Sequence, residues 1–204
     1  MSDRELRIGV LASGAGTTLQ AVVDACERGA IRGRVVVVIG NNSRARARQR
    51  AEAHGIPFLH LSGFTHPDEA ALDAAVCDGL RAHGAELVLL AGYMKKIGAV
   101  TLAAFAGRVI NTHPSLLPKY GGRGMYGAKV HAAVLAGGES QTGISVHLVD
   151  GDYDTGPVLA QKTVPVRPGD DVESLAARVQ SHEREFLVDV LGRIALGEIA
   201  LARL

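Results

Sequence analysis

Two polar residues capable of chemistry lie close together where a short apolar segment meets a proline. Residues 108–118 read RVINTHPSLLP, with Asn111 and His113 just ahead of Pro114. Strand side chains alternate between two faces, so a strand ending here places the carboxamide and the imidazole on one face. Pro114 cannot donate a ladder hydrogen bond and should end the strand. An amide donor beside an imidazole can stabilise a developing oxyanion and move a proton.

A glycine-containing segment, SGAGTT at residues 13–18, follows the first apolar run. It should begin a helix, whose N-terminal N–H groups suit an anion, and Gly14 and Gly16 would let a phosphate approach. A dinucleotide-binding pattern needs a third glycine where Leu19 stands and an acid where Asn41 stands, and the lysine of an NTPase loop is missing. The segment therefore predicts a monophosphate site, with a plain turn between strand and helix as the alternative.

Three further segments carry polar groups. The turn DGDYDTGP at residues 150–157 lacks the glycine and glutamate that a calcium loop requires at its sixth and twelfth positions. It is predicted to present one carboxylate, which beside His113 would favour the imidazolium and fix the ring, or else to be a solvated acidic turn. The loop GYMKKIG at 92–98 is predicted to face the same crevice as Asn111, with a solvated loop as the alternative. His147 is predicted to be a hydrogen-bonded core histidine, with a supporting role in the site as the alternative.

The elements that position these groups alternate along the chain. Apolar runs rich in β-branched residues predict strands, and periodic segments that end at glycine predict helices. The predicted strands are 6–12, 34–40, 57–61, 86–91, 108–112, 142–149 and 158–166, and the helices are 17–28, 44–54, 67–83, 128–136 and 171–191. This alternation indicates an open, doubly wound, mostly parallel α/β sheet in a single Rossmann-like domain.

Composition restricts the function classes. The chain has 204 residues and a net charge of +1, so no basic field that would indicate nucleic-acid binding is present. No apolar run is long enough to span a membrane, and the N-terminus shows no signal peptide, which predicts a cytoplasmic protein. Cys26 and Cys77 are expected to be buried thiols, because neither disulfide nor metal spacing is present. The arginines of 44–50 are expected to form a solvated helix face.

The motifs SGxGxxLQ, LAGYM, NTHPSLLPKY and DTGPVLAQ, in this order and spacing, resemble those of the folate-dependent formyltransferases, in particular those that formylate glycinamide ribonucleotide. The resemblance covers the chain from Arg7 to the last helix. It implies one formyltransferase domain over 1–204, with a phosphate-binding half at about 1–105 and a folate-binding and catalytic half at about 106–204. Segment 121–130 is longer than its commoner counterpart.

The resemblance also implies the site. Asn111 would donate to the formyl oxygen, His113 would stabilise the oxyanion and pass a proton, and Asp154 would pair with His113. The implied binding residues are Gly16, Thr17 and Thr18 for the phosphate, Glu183 for the glycinamide amine, and Met94, Lys95, Lys96, Ile97, Asn111, Asp150, Gly151, Asp152, Tyr153 and Asp154 for the folate. Formyl folate would be a cosubstrate, with no metal and no tightly bound cofactor.

Three other functions are alternatives to formyl transfer. A hydrolase that releases formate from 10-formyltetrahydrofolate would employ the same Asn–His–Asp set with water as nucleophile. A dehydrogenase using NAD is disfavoured by Leu19 and Asn41, and a non-catalytic binding module would have no activity to lose. The expected partners are small-molecule substrates, with neither nucleic acid nor membrane. The oligomeric state, a homodimer included, is left open.

Overall fold

The computed structural model describes residues 5–201. Residues 1–4, part of the segment in which no signal peptide is predicted, and residues 202–204 lie outside the described part. The elements in chain order are β1 (Leu6–Ala12), α1 (Thr17–Glu27), β2 (Gly33–Gly40), α2 (Arg46–Ala53), β3 (Phe58–His60), α3 (Glu69–Ala82), β4 (Leu87–Leu90), α4 (Ala99–Ala104), β5 (Val109–His113), α5 (Ala128–Ala136), β6 (Gln141–Leu148), β7 (Val158–Pro165) and α6 (Val172–Ala195).

The strands form one seven-stranded sheet in the order β3-β2-β1-β4-β5-β6-β7. Strands β1 to β5 pair in parallel, and β6 and β7 add antiparallel ladders at one side. One apolar cluster joins the sheet to α1, α2 and α6, and a second joins its other face to α3 and α4. Burial on both faces accounts for the uninterrupted apolar central strands. The predicted fold, an open, mostly parallel α/β sheet, is confirmed.

Most predicted boundaries differ from the structure by one or two residues, but α4 was missed. Its first turn has its N–H groups satisfied from another helix, because the Asp73 carboxylate on α3 accepts from Val100 N at 2.7 Å and Thr101 N at 3.1 Å. Such a cap contributes stability at a helix N-terminus without a local sequence signal. The last helix also continues four residues beyond the predicted end, to Ala195.

The start of α6 shows how two adjacent aspartates take different roles. Asp171 is the N-cap and accepts from Ser174 N at 2.8 Å. Asp170 instead makes two 2.6 Å contacts with the guanidinium of Arg178. Hydrogen bonding to Arg178 holds the pKa of Asp170 far below its usual range, which fixes the loop before α6 to the helix that it precedes.

The two cysteines are unpaired thiols, as predicted, but only one is fully buried. Cys77 is buried and Cys26 is half-buried in α1. Burial, with a smaller contribution from Glu27, raises the pKa of Cys26 to about 11, so the thiol is protonated and unreactive at neutral pH. Between residues 5 and 201, no helix has the length and apolar character needed to cross a bilayer.

Candidate active site

A cavity of about 670 Å³ opens at the carboxyl ends of β1, β4 and β5. In open α/β sheets, ligands bind at this edge because loops and helix N-termini converge there. The wall is formed by Thr17, Thr18, Gly92–Lys95, Asn111–Pro114, Gly122–Gly127, His131, Tyr153, Asp154, Gln180, Glu183 and Arg184. Residues from seven separate stretches of the chain therefore meet around one space.

His113 lies at the end of β5 and is only 4% exposed. Its Nε2 is 2.7 Å from the carbonyl oxygen of Tyr120. A carbonyl only accepts hydrogen bonds, so Nε2 carries the proton. Its Nδ1 is 3.4 Å from Asp154 Oδ2. Both ring nitrogens thus face acceptor oxygens, and the imidazolium could donate to both at once.

Asp154 is placed by an unusual backbone conformation. Its φ is +57°, in the left-handed region that non-glycine residues rarely occupy and that is often associated with functional sites. Its Oδ2 accepts from Gly122 N at 3.0 Å. Burial alone raises the pKa of Asp154, but the hydrogen bond from His147, the charge of His113 and the Gly122 N–H outweigh it. The net pKa lies below the ordinary value, so the carboxylate is ionised at neutral pH.

His147 joins the site, which the sequence offered only as an alternative to a core role. It is 2% exposed, and its Nδ1 donates to the Leu148 carbonyl at 2.8 Å. Its Nε2 is 3.3 Å from Asn111 Nδ2 and 3.5 Å from Asp154 Oδ1. The cause is strand register: Asn111 and His147 are direct partners in the antiparallel β5–β6 ladder, so their side chains share a face. Register between distant strands has no local signal.

The first loop matches an anion site in its geometry. Gly16 is the N-cap of α1 with φ +69°, no side chain caps the helix, and no acid lies in the first turn. A Cβ at Gly16 would lie 2.8 Å from Ala47 Cα, so the loop requires glycine. Thr17 and Thr18 follow in the cavity wall. The first N–H groups of a helix and the positive end of its dipole are favourable for binding an anion.

Arg50 on α2 supports this loop, contrary to the prediction of a solvated arginine face. Its Nε donates to the Ala15 carbonyl at 3.0 Å, and its Nη1 donates to Gln20 Oε1 at 2.9 Å. Arg48, by contrast, pairs with Glu52 at 2.8 Å and fits the solvated face. The sequence could not separate these arginines, since only the packing of α2 against the loop does so.

The residues expected to bind folate fall into two groups. Met94, Lys95, Asn111, Tyr153 and Asp154 line the cavity. The remaining five, Lys96, Ile97, Asp150, Gly151 and Asp152, are not part of its wall. Among these, Ile97 is buried in the apolar cluster beside α3, and the Lys96 ammonium is 4.0 Å from Asp152 and 5.7 Å from the Tyr153 ring centre. These contacts join the loop after β4 to the 150–154 turn.

Glu183 on α6 is half-buried in the cavity wall. Its Oε1 accepts from Thr112 Oγ1 at 2.7 Å, and within residues 5–201 its Oε2 has no hydrogen-bond donor. Gln180 and Arg184 also line the cavity and were missed by the sequence analysis. Gln180 precedes Glu183 by three positions and so shares its helix face, a spacing that could have identified it.

Residues 122–127 of the segment 121–130 line the cavity, and the segment leads into α5. His131 on α5 is 2% exposed, and its Nδ1 has no hydrogen-bond partner in the described part of the chain. Burial, followed by the charge of His113, lowers the pKa of His131, so this ring is neutral at neutral pH. No group of three or more His, Cys, Asp or Glu residues between 5 and 201 is arranged to hold a metal ion.

Comparison with known proteins identifies the family. The family model described as formyl transferase matches residues 6–191. The phosphoribosylglycinamide formyltransferase of Mycobacterium tuberculosis is 41% identical over 93% of this chain and 85% of its own length. A chloroplastic phosphoribosylglycinamide formyltransferase of Arabidopsis thaliana is 38% identical over 94% of this chain, which spans only 66% of that relative's length.

Solved structures agree with this grouping. Glycinamide ribonucleotide transformylase 1 from Symbiobacterium toebii superposes with a TM-score of 0.88 at 40% identity, over 95% of this chain and 89% of its own. A formyltetrahydrofolate deformylase from Pseudomonas syringae also shares the fold, with a TM-score of 0.83 at 25% identity, over 95% of this chain and 62% of its own. The family resemblance predicted from the motifs is confirmed, and the chain belongs to the formyl transferase family.

Proposed function

We propose that the protein transfers a formyl group from 10-formyltetrahydrofolate to the primary amine of glycinamide ribonucleotide, a step of purine biosynthesis in the cytoplasm. The observation that carries the proposal is the placement of His113 between the Asp154 carboxylate and the Tyr120 carbonyl, with Asn111 beside it in the same cavity. Named relatives at 38–41% identity that transfer formyl groups support the same reaction.

The reaction needs an oxyanion site and a route for a proton. The substrate amine attacks the formyl carbon. A new bond forms between the amine nitrogen and that carbon, and the carbonyl electron pair moves onto oxygen. Asn111 can donate an N–H to that oxygen, and the positive charge of the His113 imidazolium beside it stabilises the developing negative charge. Collapse of the intermediate breaks the bond to folate N10, which takes up a proton as the amine nitrogen loses one. His113 is placed to carry this proton.

Asp154 supports His113 rather than contacting the formyl group. A carboxylate 3.4 Å from Nδ1 favours the charged ring and orients it. Because the pKa of Asp154 is held below its ordinary value, the carboxylate stays ionised at neutral pH.

The two substrates are assigned to opposite ends of the cavity. The ribonucleotide phosphate would bind the N–H groups of Gly16, Thr17 and Thr18, and its amine would donate to Glu183. The pterin would lie along Met94 and Lys95, bounded by Tyr153. This arrangement brings the amine and the formyl carbon together beside β5, at the carboxyl end of which Asn111 and His113 lie.

A hydrolase is the second candidate, supported by the shared fold of the deformylase at 25% identity. It would use the same Asn111, His113 and Asp154, with water in place of the amine. Two features favour the transferase: the N-terminus of α1, where Gly16 leaves the helix without a side-chain cap, and the acceptor Glu183. A water nucleophile needs neither a phosphate site nor an amine acceptor.

The test is the absorbance change of the folate, recorded with enzyme and 10-formyltetrahydrofolate before and after glycinamide ribonucleotide is added. The transferase predicts a change that begins only with the ribonucleotide. A change of the same rate without it would assign the hydrolase instead, and the absence of any change would refute both.

A further inference from the structure

We propose that Thr112 is a positioning residue that sets the orientation of Glu183, and through it the direction from which the amine approaches the formyl carbon. The inference rests on the proposed function, in which Glu183 accepts from the substrate amine. The observation behind it is one short hydrogen bond, 2.7 Å from Thr112 Oγ1 to Glu183 Oε1, between residues 71 positions apart.

Thr112 lies on β5 between Asn111 and His113, the two residues assigned to the formyl group. Alternation along the strand sends Asn111 and His113 towards Asp154 and His147, and sends Thr112 to the other face, towards α6. All three nonetheless line the cavity because they end the strand. Residues 111–113 therefore place Asn111 and His113 on one face of the strand, and on the other face Thr112 contacts Glu183.

The hydroxyl is well suited to orient a carboxylate. Threonine is β-branched and stiff at χ1, and its backbone pairs with Val146 of β6, while the ladder with β4 reaches the preceding residue, Asn111. Glutamate has three rotatable bonds and could otherwise adopt several rotamers along α6. A hydroxyl has a single proton to donate, so it engages Oε1 and leaves Oε2 for the substrate. A charge-assisted O–H···O⁻ bond at this distance is a strong restraint.

Glu183 contributes in two separate ways: its charge attracts the amine, and its orientation sets where the amine lies. Without the hydroxyl, Glu183 keeps its charge and can still attract an amine, but its rotamer is no longer fixed relative to Asn111. A displacement of about 1 Å between reacting groups costs about 100-fold in rate. The loss should therefore appear in kcat as well as in KM for the ribonucleotide, while KM for 10-formyltetrahydrofolate stays unchanged.

The experiment is a double-mutant cycle on kcat/KM for the ribonucleotide. Thr112→Val keeps the shape and removes the hydroxyl, and we expect a fall of about 10- to 100-fold. Thr112→Ser keeps the hydroxyl and should restore the value to within about threefold of wild type. In a Glu183→Ala background, where there is no carboxylate to orient, Thr112→Val should cost less than about twofold more.

Thr142→Val is the matched control. Thr142 lies on the neighbouring strand β6, is equally β-branched and is 2% exposed, but its Oγ1 has no hydrogen-bond partner in the described part of the chain. Loss of that hydroxyl should leave kcat/KM within about twofold of wild type. Thermal unfolding of every variant verifies that the fold is intact.

The possible outcomes distinguish the positioning role of Thr112 from the proposed formyl transfer. Equal costs of Thr112→Val in the wild-type and Glu183→Ala backgrounds would refute the positioning role while leaving formyl transfer in place. Failure of Thr112→Ser to restore the rate would refute it as well. Wild-type kcat/KM in Glu183→Ala would refute the amine-binding assignment itself, and no ribonucleotide-dependent transfer by the wild type would refute the proposed function.

Discussion

The Asp154 carboxylate offers the sharpest prediction, because Asp154→Asn removes its charge and little else. Asparagine tolerates the left-handed backbone at φ +57° better than most other non-glycine residues. Its carbonyl oxygen can still accept from Gly122 N, and its amide nitrogen then faces His147, which can accept from it. The variant should therefore fold normally and differ from the wild type chiefly in electrostatics.

The magnitude follows from the distance between the charges. Asp154 Oδ2 and His113 Nδ1 are 3.4 Å apart, and the Asp154 side chain is 11% exposed. At an effective dielectric constant of about 20, a charge pair at this separation is worth about 5 kcal/mol. Because the positive charge of His113 stabilises the oxyanion in the transition state, most of this energy is lost from catalysis. One power of ten in rate corresponds to about 1.36 kcal/mol, so kcat should fall by about a thousandfold or more.

The assay is the ribonucleotide-dependent absorbance change of the folate at saturating substrates. Asp189→Asn is the matched control, since it removes the same charge from a side chain that is 62% exposed on α6, and it should stay within about twofold of wild type. A kcat for Asp154→Asn within threefold of wild type would refute the assignment of Asp154 as the partner of His113.

Three further predictions concern the first loop and the base of α6. Thr17→Asp should raise the ribonucleotide KM by about 10- to 100-fold and leave the folate KM unchanged in steady-state kinetics, because it sets a carboxylate against the phosphate; equal changes would move the phosphate elsewhere. Gly16→Ala should raise the same KM by about tenfold and lower the melting temperature, since its Cβ would approach Ala47 Cα to 2.8 Å at φ +69°; an unchanged KM would contradict this. Asp170→Asn should lower the urea midpoint at pH 7 by breaking the contact with Arg178. Because the pKa of Asp170 is depressed, this difference from wild type should be present above its ordinary value of 3.8 and shrink as the pH falls below it; a difference that grows in acid would have the wrong sign.

Local sequence patterns were sufficient for most of the fold. Runs such as RVVVVIG predict strands buried on both faces, and glycines at 29, 55 and 84 mark helix ends because each adopts a left-handed φ just beyond the last turn. The element that was missed, α4, depends on a cap supplied by Asp73 from another helix. Contacts of that kind are not visible in the segment that they stabilise.

In the site, too, residues with a local sequence signal could be predicted, whereas contacts between distant elements could not. Asn111 and His113 could be found because strand alternation and Pro114 are local signals. The contribution of His147 depends on the β5–β6 register, and that of Arg50 depends on how α2 packs against the first loop. Both are tertiary facts, so the sequence predicted the residue types of the site more fully than the contacts that orient them.

Formyl transfer at this cavity can be tested by following the formyl carbon itself. Enzyme is incubated with 10-formyltetrahydrofolate labelled with ¹³C in the formyl group, together with glycinamide ribonucleotide, and both products are analysed by mass spectrometry. Formyl transfer at this cavity predicts that the label appears in the ribonucleotide with the wild type and is lost from it with His113→Ala. Label released as formate at the same rate with or without the ribonucleotide would contradict the account.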